Sequence, residues 1–193
     1  KMSKSKKNYT DPMLLADTYG IDAVRWYFYI VNPAGEPKRF DEKDVLDTQR
    51  KSVMMLLNIS NFLEAYRTKK KEKNVAKKTA LDRWIVSRLE ETVRDATAFL
   101  DTYDAQGSSR AIAAFLDDLS NWYIRRSRER FQRPENKADY EAAVGTLSFV
   151  FDETLKLCAP FMPFVTDYLW RKAHKGSIHL EKYPAASEKR IDK

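Results

Sequence analysis

The spacing of apolar residues between positions 81 and 103 constrains this chain most. Leu81, Ile85, Leu89, Val93, Ala96, Leu100 and Tyr103 recur at three- and four-residue steps with charged residues between them. That spacing returns to one side of a helix with about 3.6 residues per turn and fits no alternating strand. A long helix with a single apolar face needs other helices against which to bury it. The composition can supply them, because only 5 glycines and 7 prolines interrupt 193 residues, whereas sheets need frequent turn residues. The expected fold class is all-α: an antiparallel helix bundle with short turns, preceded by a small helical module.

The length is enough for one large or two small cores, and the expected division is 1–40, 41–176 and 177–193. With 43% hydrophobic and 33% charged residues the chain reads as globular. The net charge of +7 and pI near 9.3 point to an anionic partner. Basic residues alternate with acidic ones, which suits nucleic acid better than a membrane surface. The single cysteine, Cys158, excludes an intrachain disulfide and a multi-cysteine metal site, and fits a reducing, cytoplasmic setting. Its apolar surroundings make it buried filler. Nothing reads as a signal peptide or a membrane span. The chain begins at Lys1 without an initiator Met, as expected of a piece of something longer.

Taken in order, residues 1–8 (KMSKSKKN) are a polar, lysine-dense loop. Asp11 and Pro12 read as N-cap and first residue of a short helix ending at Gly20. A second, aromatic-rich helix runs from Asp22 to about Val31. Asp41 and Asp44 open a long helix as a capping pair. One stripe on it passes through Leu46, Val53, Leu57 and Ser60, a second through Met55, Ile59, Phe62 and Tyr66. Asn58 falls at the seam, where a core or capping amide is the plainer reading than a ligand contact. Residues 67–78 are a lysine-rich connector. Further on, Ser108 or Ser109 caps a helix, Pro134 starts the next, and Phe161, Phe164, Val165, Tyr168 and Leu169 form the inner face of the last. Residues 177–180 read as a short β-like piece before a polar tail. His174 and His179 have no companions at metal-ligand spacing, so no metal site is assigned.

Residues 111–131 read as the central strut. Ile112, Phe115, Leu116, Leu119, Trp122 and Tyr123 share one helical face, with Asp117, Asn121, Arg125 and Arg128 roughly opposite. Arg126 and Arg130 continue the apolar stripe at four-residue steps, so the inner face turns cationic. Trp122 is thus a core residue before it is a contact residue, and Arg126 a partner for a buried carboxylate. Arg125 and Arg128, on the outer face, are the fairer candidates for phosphate contact.

The chain lacks a Ser-His-Asp pattern, a phosphate-binding glycine loop and clustered metal ligands, so an isolated catalyst is not expected. KMSKSKKN followed by DPMLLADTYGIDAVRWY does, however, resemble the second catalytic motif and stem-contact helices of class I aminoacyl-tRNA synthetases. Asp11, Pro12, Tyr19, Gly20, Asp22, Ala23 and Arg25 stand at matching spacings. LDRWIVSRL, DDLSNWYIRRSRERF, LCAPFMPFVTDYLW and SIHLEKYP are similar, in order, to the anticodon-binding helical domain of the isoleucyl branch. The resemblance covers nearly the whole chain. Lys6 and Lys7 replace a Leu-Gly pair of many bacterial members, and Gln132 replaces a frequent tryptophan.

The resemblance implies that Lys1 and Lys4 contact ATP phosphates and stabilise departing pyrophosphate, within an ATP-binding loop of Lys1, Met2, Ser3, Lys4 and Ser5. It implies tRNA contacts at Asn58, Phe62, Trp122, Arg125, Arg126, Arg128 and Arg130. The full-length protein would use ATP, with Mg, to join isoleucine to its tRNA. This piece would be an inactive, monomeric tRNA-binding portion, since the partner histidine motif, amino-acid pocket and editing domain lie outside it. The same region of a valyl or leucyl enzyme, or a helical protein-interaction module, stays open at this point.

Overall fold

The computed structural model describes residues 11–33, 35–36, 40–67 and 78–191; the loop of residues 1–5 and most of the lysine-rich connector lie outside them. Among the described residues every regular element is helical. α1 (Pro12–Tyr19) starts as expected: Asp11 accepts a hydrogen bond from the Met13 N–H and Pro12 sits in the first turn. Gly20, at φ 84°, ends α1 and leads into α2 (Ile21–Ile30). That positive φ is one an L side chain adopts only under strain.

α2 joins two cores. Its Tyr27 packs with Leu15, Val24 and Val45 in a small cluster, while its Trp26 enters the main one. Both rings are fully buried. Both its ends are tied to distant parts of the chain. The Asp22 carboxylate accepts from the backbone N–H of Val165 at 2.6 Å and of Phe164 at 3.4 Å, and so caps a later helix. Arg25 donates to the carbonyls of Phe161 and Pro160, both at 3.2 Å. At the far end Gln106 and Arg110 donate to the free carbonyls of Ile30 and Val31, the groups a helix C-terminus leaves without partners.

α3 (Glu42–Thr48), a π turn (Gln49–Val53) and α4 (Met54–Tyr66) run on as one rod. Asp41 caps it by accepting from the Lys43 N–H, not through a reciprocal side-chain pair with Asp44. The residues buried along it are Val45, Ser52, Leu56, Ile59, Ser60 and Leu63. Ile59 and Ser60 of the expected stripes are among them, and Val53, Met55, Leu57, Phe62 and Tyr66 pack half-buried against the main core, so both stripes face it with the fully buried line running between them.

α5 (Ala80–Asp101) buries Ile85, Leu89, Val93 and Ala96 as its period predicts, and opens with a reciprocal Thr79–Asp82 capping box. Next come α6 (Ala105–Asp117), a second π turn (Asp118–Ile124) and α7 (Arg125–Gln132). The cap of α6 is Asp104, accepting from the Gly107 N–H; Ser108 and Ser109 are buried inside the helix. α8 (Lys137–Cys158) starts from an Asn136 cap, three residues after the expected Pro134 start that put Pro134 at the first position. α9 (Pro163–Arg171) turns Thr166, Leu169 and Trp170 inward and leaves Phe164 and Tyr168 exposed. The larger indole, stacked on His174, takes the place expected of Tyr168.

Residues 177–180 are not β-like. Ile178–Leu180 is a 3-10 turn, because Asp167 accepts from the Ser177 hydroxyl and the Ile178 N–H and the Ser177 hydroxyl accepts from His179 N–H. The tail beyond is docked on the bundle: Ile178 and Pro184 are buried, and the buried Glu90 of α5 accepts from the Ser187 N–H and from Arg190. Among the described residues no helix is long and apolar enough to cross a membrane.

Candidate nucleic-acid interface

The second π turn decides which side chains of the central strut face outward. A turn closed by an i→i+5 bond holds one residue more than an α turn. The four-residue series Leu119, Tyr123, Ser127 and Phe131 therefore stays in the core. Trp122, expected inside, is turned out and is 49% exposed. Arg126 does not pair with a buried carboxylate; its guanidinium lies 4.3 Å from the Trp122 ring centroid, a cation–π distance.

Arg130 is the arginine that meets the buried carboxylate. Its Nη1 and Nη2 donate to the two Asp82 oxygens at 2.8 and 3.0 Å, and its Nε donates to Asp139 at 2.6 Å. Asp82 is fully buried and also accepts from Tyr123 Oη, at 2.7 Å, and from Thr79. Burial alone would raise this carboxyl, but the hydrogen bonds from Arg130, Tyr123 and Thr79 outweigh it and hold it below its ordinary range. Burial would likewise lower the Arg130 pKa, and the bonds to Asp82 and Asp139 reverse that. All three nitrogens of this guanidinium are engaged inside the protein. Arg130 is a structural tie between α5, α7 and α8, and its donors are not offered to a ligand.

The remaining candidates converge. Asn58, Ile59 and Phe62 of α4 face Ser120, Asn121, Ile124, Arg125 and Arg128 across an open cleft of about 310 Å³. One aromatic ring, Phe62, lines it; behind the lining Phe62 packs on the buried Phe131 with ring centroids 5.0 Å apart and on Tyr66 at 4.9 Å. Phe62 is half-buried in that packing, so it shapes the cleft as well as lining it. Asn58 is not the satisfied core amide expected at a seam; it is exposed at the rim. Arg125 and Arg128 are exposed, with no ion-pair partner among the described residues. Asn121 and Ser120 were not among the expected contacts. Asn121 was legible, since it shares the outer face with Arg125 and Arg128, whereas Ser120 reaches the cleft only through the π turn.

A cleft with two unpaired guanidiniums, two amides and one aromatic ring suits a flexible anionic polymer bearing planar hydrogen-bonding groups. Residues 82–193 match the family model described as the anticodon-binding domain of tRNA ligase. The chain belongs to the anticodon-binding domain family of tRNA ligases. Residues 1–41 match a second model, the class I tRNA synthetases for I, L, M and V. The chain is 42% identical over 200 residues to the isoleucine–tRNA ligase of Deinococcus radiodurans, an alignment covering 100% of the chain and 18% of that protein. It is 40% identical over 192 residues to isoleucine–tRNA ligase 2 of Bacillus cereus, covering 97% of the chain and 19% of that protein. The chain thus spans about a fifth of the length of these relatives.

Among solved structures, the agnB2 LeuRS of Agrobacterium radiobacter K84, in a ternary complex with tRNA and LeuAMS, superposes with TM-score 0.74 at 19% identity. The match covers 100% of the chain and 23% of the LeuRS chain, and supports the helical fold. The all-α expectation and the resemblance to the class I family, isoleucyl branch, are both met.

Proposed function

We propose that this chain is the tRNA-binding portion of an isoleucine–tRNA ligase, and that the cleft between α4 and α7 receives the anticodon loop. The observation that carries the reading is the meeting of Asn58 and Phe62 with Arg125 and Arg128 in one cleft, on a chain similar along its length to isoleucine–tRNA ligases. Arg125 and Arg128 would fork onto backbone phosphates, which position the loop. Asn58 and Asn121 would hydrogen-bond to exposed base edges, which carry sequence information. Residues 41–176 would form the anticodon-binding bundle, residues 1–40 the ATP loop and stem-contact module, and residues 177–193 the start of a further extension.

In the full-length protein, which would use ATP with Mg, Lys1 and Lys4 would neutralise charge on the ATP phosphates as pyrophosphate leaves. Those residues lie outside the described part, so their role rests on the resemblance of KMSKS and the match over residues 1–41. A monomeric, cytoplasmic protein is the setting this reading implies.

The test is the salt dependence of tRNA binding. Each phosphate contact contributes about 0.7 to 0.9 to the slope of log K against log salt. Arg125→Ala with Arg128→Ala is expected to weaken binding and lower that slope by about one to two. An unchanged slope would remove phosphate contact from the cleft. The piece alone is also expected to give no isoleucine-dependent ATP–pyrophosphate exchange, and measurable exchange would overturn the fragment reading.

A further inference from the structure

We infer that Trp122, backed by Arg126, is a stacking seat for one unpaired base, separate from the cleft and adding a loop-selective contact to its phosphate contacts. The inference rests on the RNA-binding reading above. A large ring at the apolar stripe position of a core helix would ordinarily be buried, for burial of so much apolar surface is favourable. Here the π turn Asp118–Ile124 places it outside at 49% exposure, while Leu119, Tyr123 and Ile124 around it stay in. Arg126 covers the indole at 4.3 Å and has no ion-pair partner among the described residues. The pair therefore offers a flat aromatic surface already fixed by a cation, with ring area left over for a second planar group.

Such a seat differs chemically from its neighbours. Arg125 and Arg128 suit phosphates, whose binding is strongly salt-dependent and indifferent to whether bases are paired. Stacking on an indole needs a base released from its own stack, depends little on salt and tolerates any base. The seat therefore selects looped over duplex RNA without selecting a sequence. Trp26 and Trp170 are buried and Trp84 is half-buried, so Trp122 is the tryptophan whose emission a stacked base would quench.

The experiment uses the full chain with two probes: an RNA hairpin carrying 2-aminopurine in an unpaired loop, and a blunt duplex of the stem sequence. Tryptophan emission is expected to be quenched on binding the hairpin and not the duplex. Trp122→Ala is expected to weaken hairpin binding about tenfold, leave duplex binding unchanged and keep the salt slope. Trp122→Phe should retain most of the affinity and most of the 2-aminopurine quenching, which separates loss of a stacking surface from a folding defect. Equal hairpin affinity for Trp122→Ala, alongside weakening by Arg125→Ala with Arg128→Ala, would overturn the seat and leave the cleft reading standing. Equal weakening toward hairpin and duplex would also overturn it. No binding of either the hairpin or a tRNA transcript would overturn both.

Discussion

Arg130 shows how one side chain can look like a ligand contact and be a bolt. The sequence placed it at the cationic end of a strut, where tRNA contact is the natural expectation; it could not show that Asp82, 48 residues earlier, is fully buried and faces it. Removing one partner of such a pair leaves a charge without compensation, which costs roughly 3–5 kcal/mol. Arg130→Ala is therefore expected to lower the free energy of unfolding by about that amount, measured by urea denaturation, and a loss below about 1 kcal/mol would refute the bolt. The pH dependence has a definite sign. Asp82 is held below its ordinary value of 3.8, so the stability it contributes is complete above that value and disappears as pH falls through the lowered one. Wild-type protein should lose more stability than Asp82→Asn on acidification through this window. Parallel curves for the two would mean the carboxylate is not depressed.

At the scale of elements, what the sequence showed and what it hid divide by mechanism. The apolar period of α5 and the Asp11–Pro12 start of α1 were readable because each depends on neighbours within a turn of helix. The two π turns were not, since an i→i+5 bond has no composition of its own. The second of them carries Trp122 outward and Ser120 to the cleft. Local packing also hid the start of α6. A Cβ built at Gly107 would lie 2.5 Å from Asp104 Oδ2 and 2.6 Å from the Phe99 ring, although nothing in the backbone angle requires glycine there. Gly107→Ala is expected to displace the very carboxylate that caps the helix. Loss of the cap and the ring shift together should cost about 1–3 kcal/mol, read as a lower Tm. A helix-stabilising effect, as alanine ordinarily has over glycine, would show that Phe99 and Asp104 yield freely.

At the scale of the whole molecule, the bundle is closed by contacts between distant parts of the chain that no periodicity announces. α2 is pinned at one end by Asp22 and Arg25 to the α8–α9 turn and at the other by Gln106 and Arg110. The C-terminal segment is held twice. Asp167, whose carboxyl is lowered to about 2 by hydrogen bonds from Ser177, Arg171 and Ile178, fixes its beginning. Glu90, 3% exposed, fixes its end through the Ser187 N–H at 2.7 Å and Arg190 at 3.0 Å, with Arg190 also over the Phe149 ring at 5.1 Å. The docking of this polar segment is not legible in its own composition, because its anchors are single acids on other helices, the half-buried Asp167 of α9 and the buried Glu90 of α5. Those acids make the docking separable. Glu90→Gln keeps an acceptor for the Ser187 N–H and loses the charge that holds Arg190, whereas Glu90→Leu loses both. Amide exchange at residues 187–190 should therefore rise slightly in Glu90→Gln and strongly in Glu90→Leu, with exchange in α8 unchanged because local opening does not require global unfolding. Equal exchange in all three proteins would show that Pro184, Ile178 and their apolar contacts dock the segment alone. A matching rise across α8 would instead make Glu90 part of the bundle's general stability.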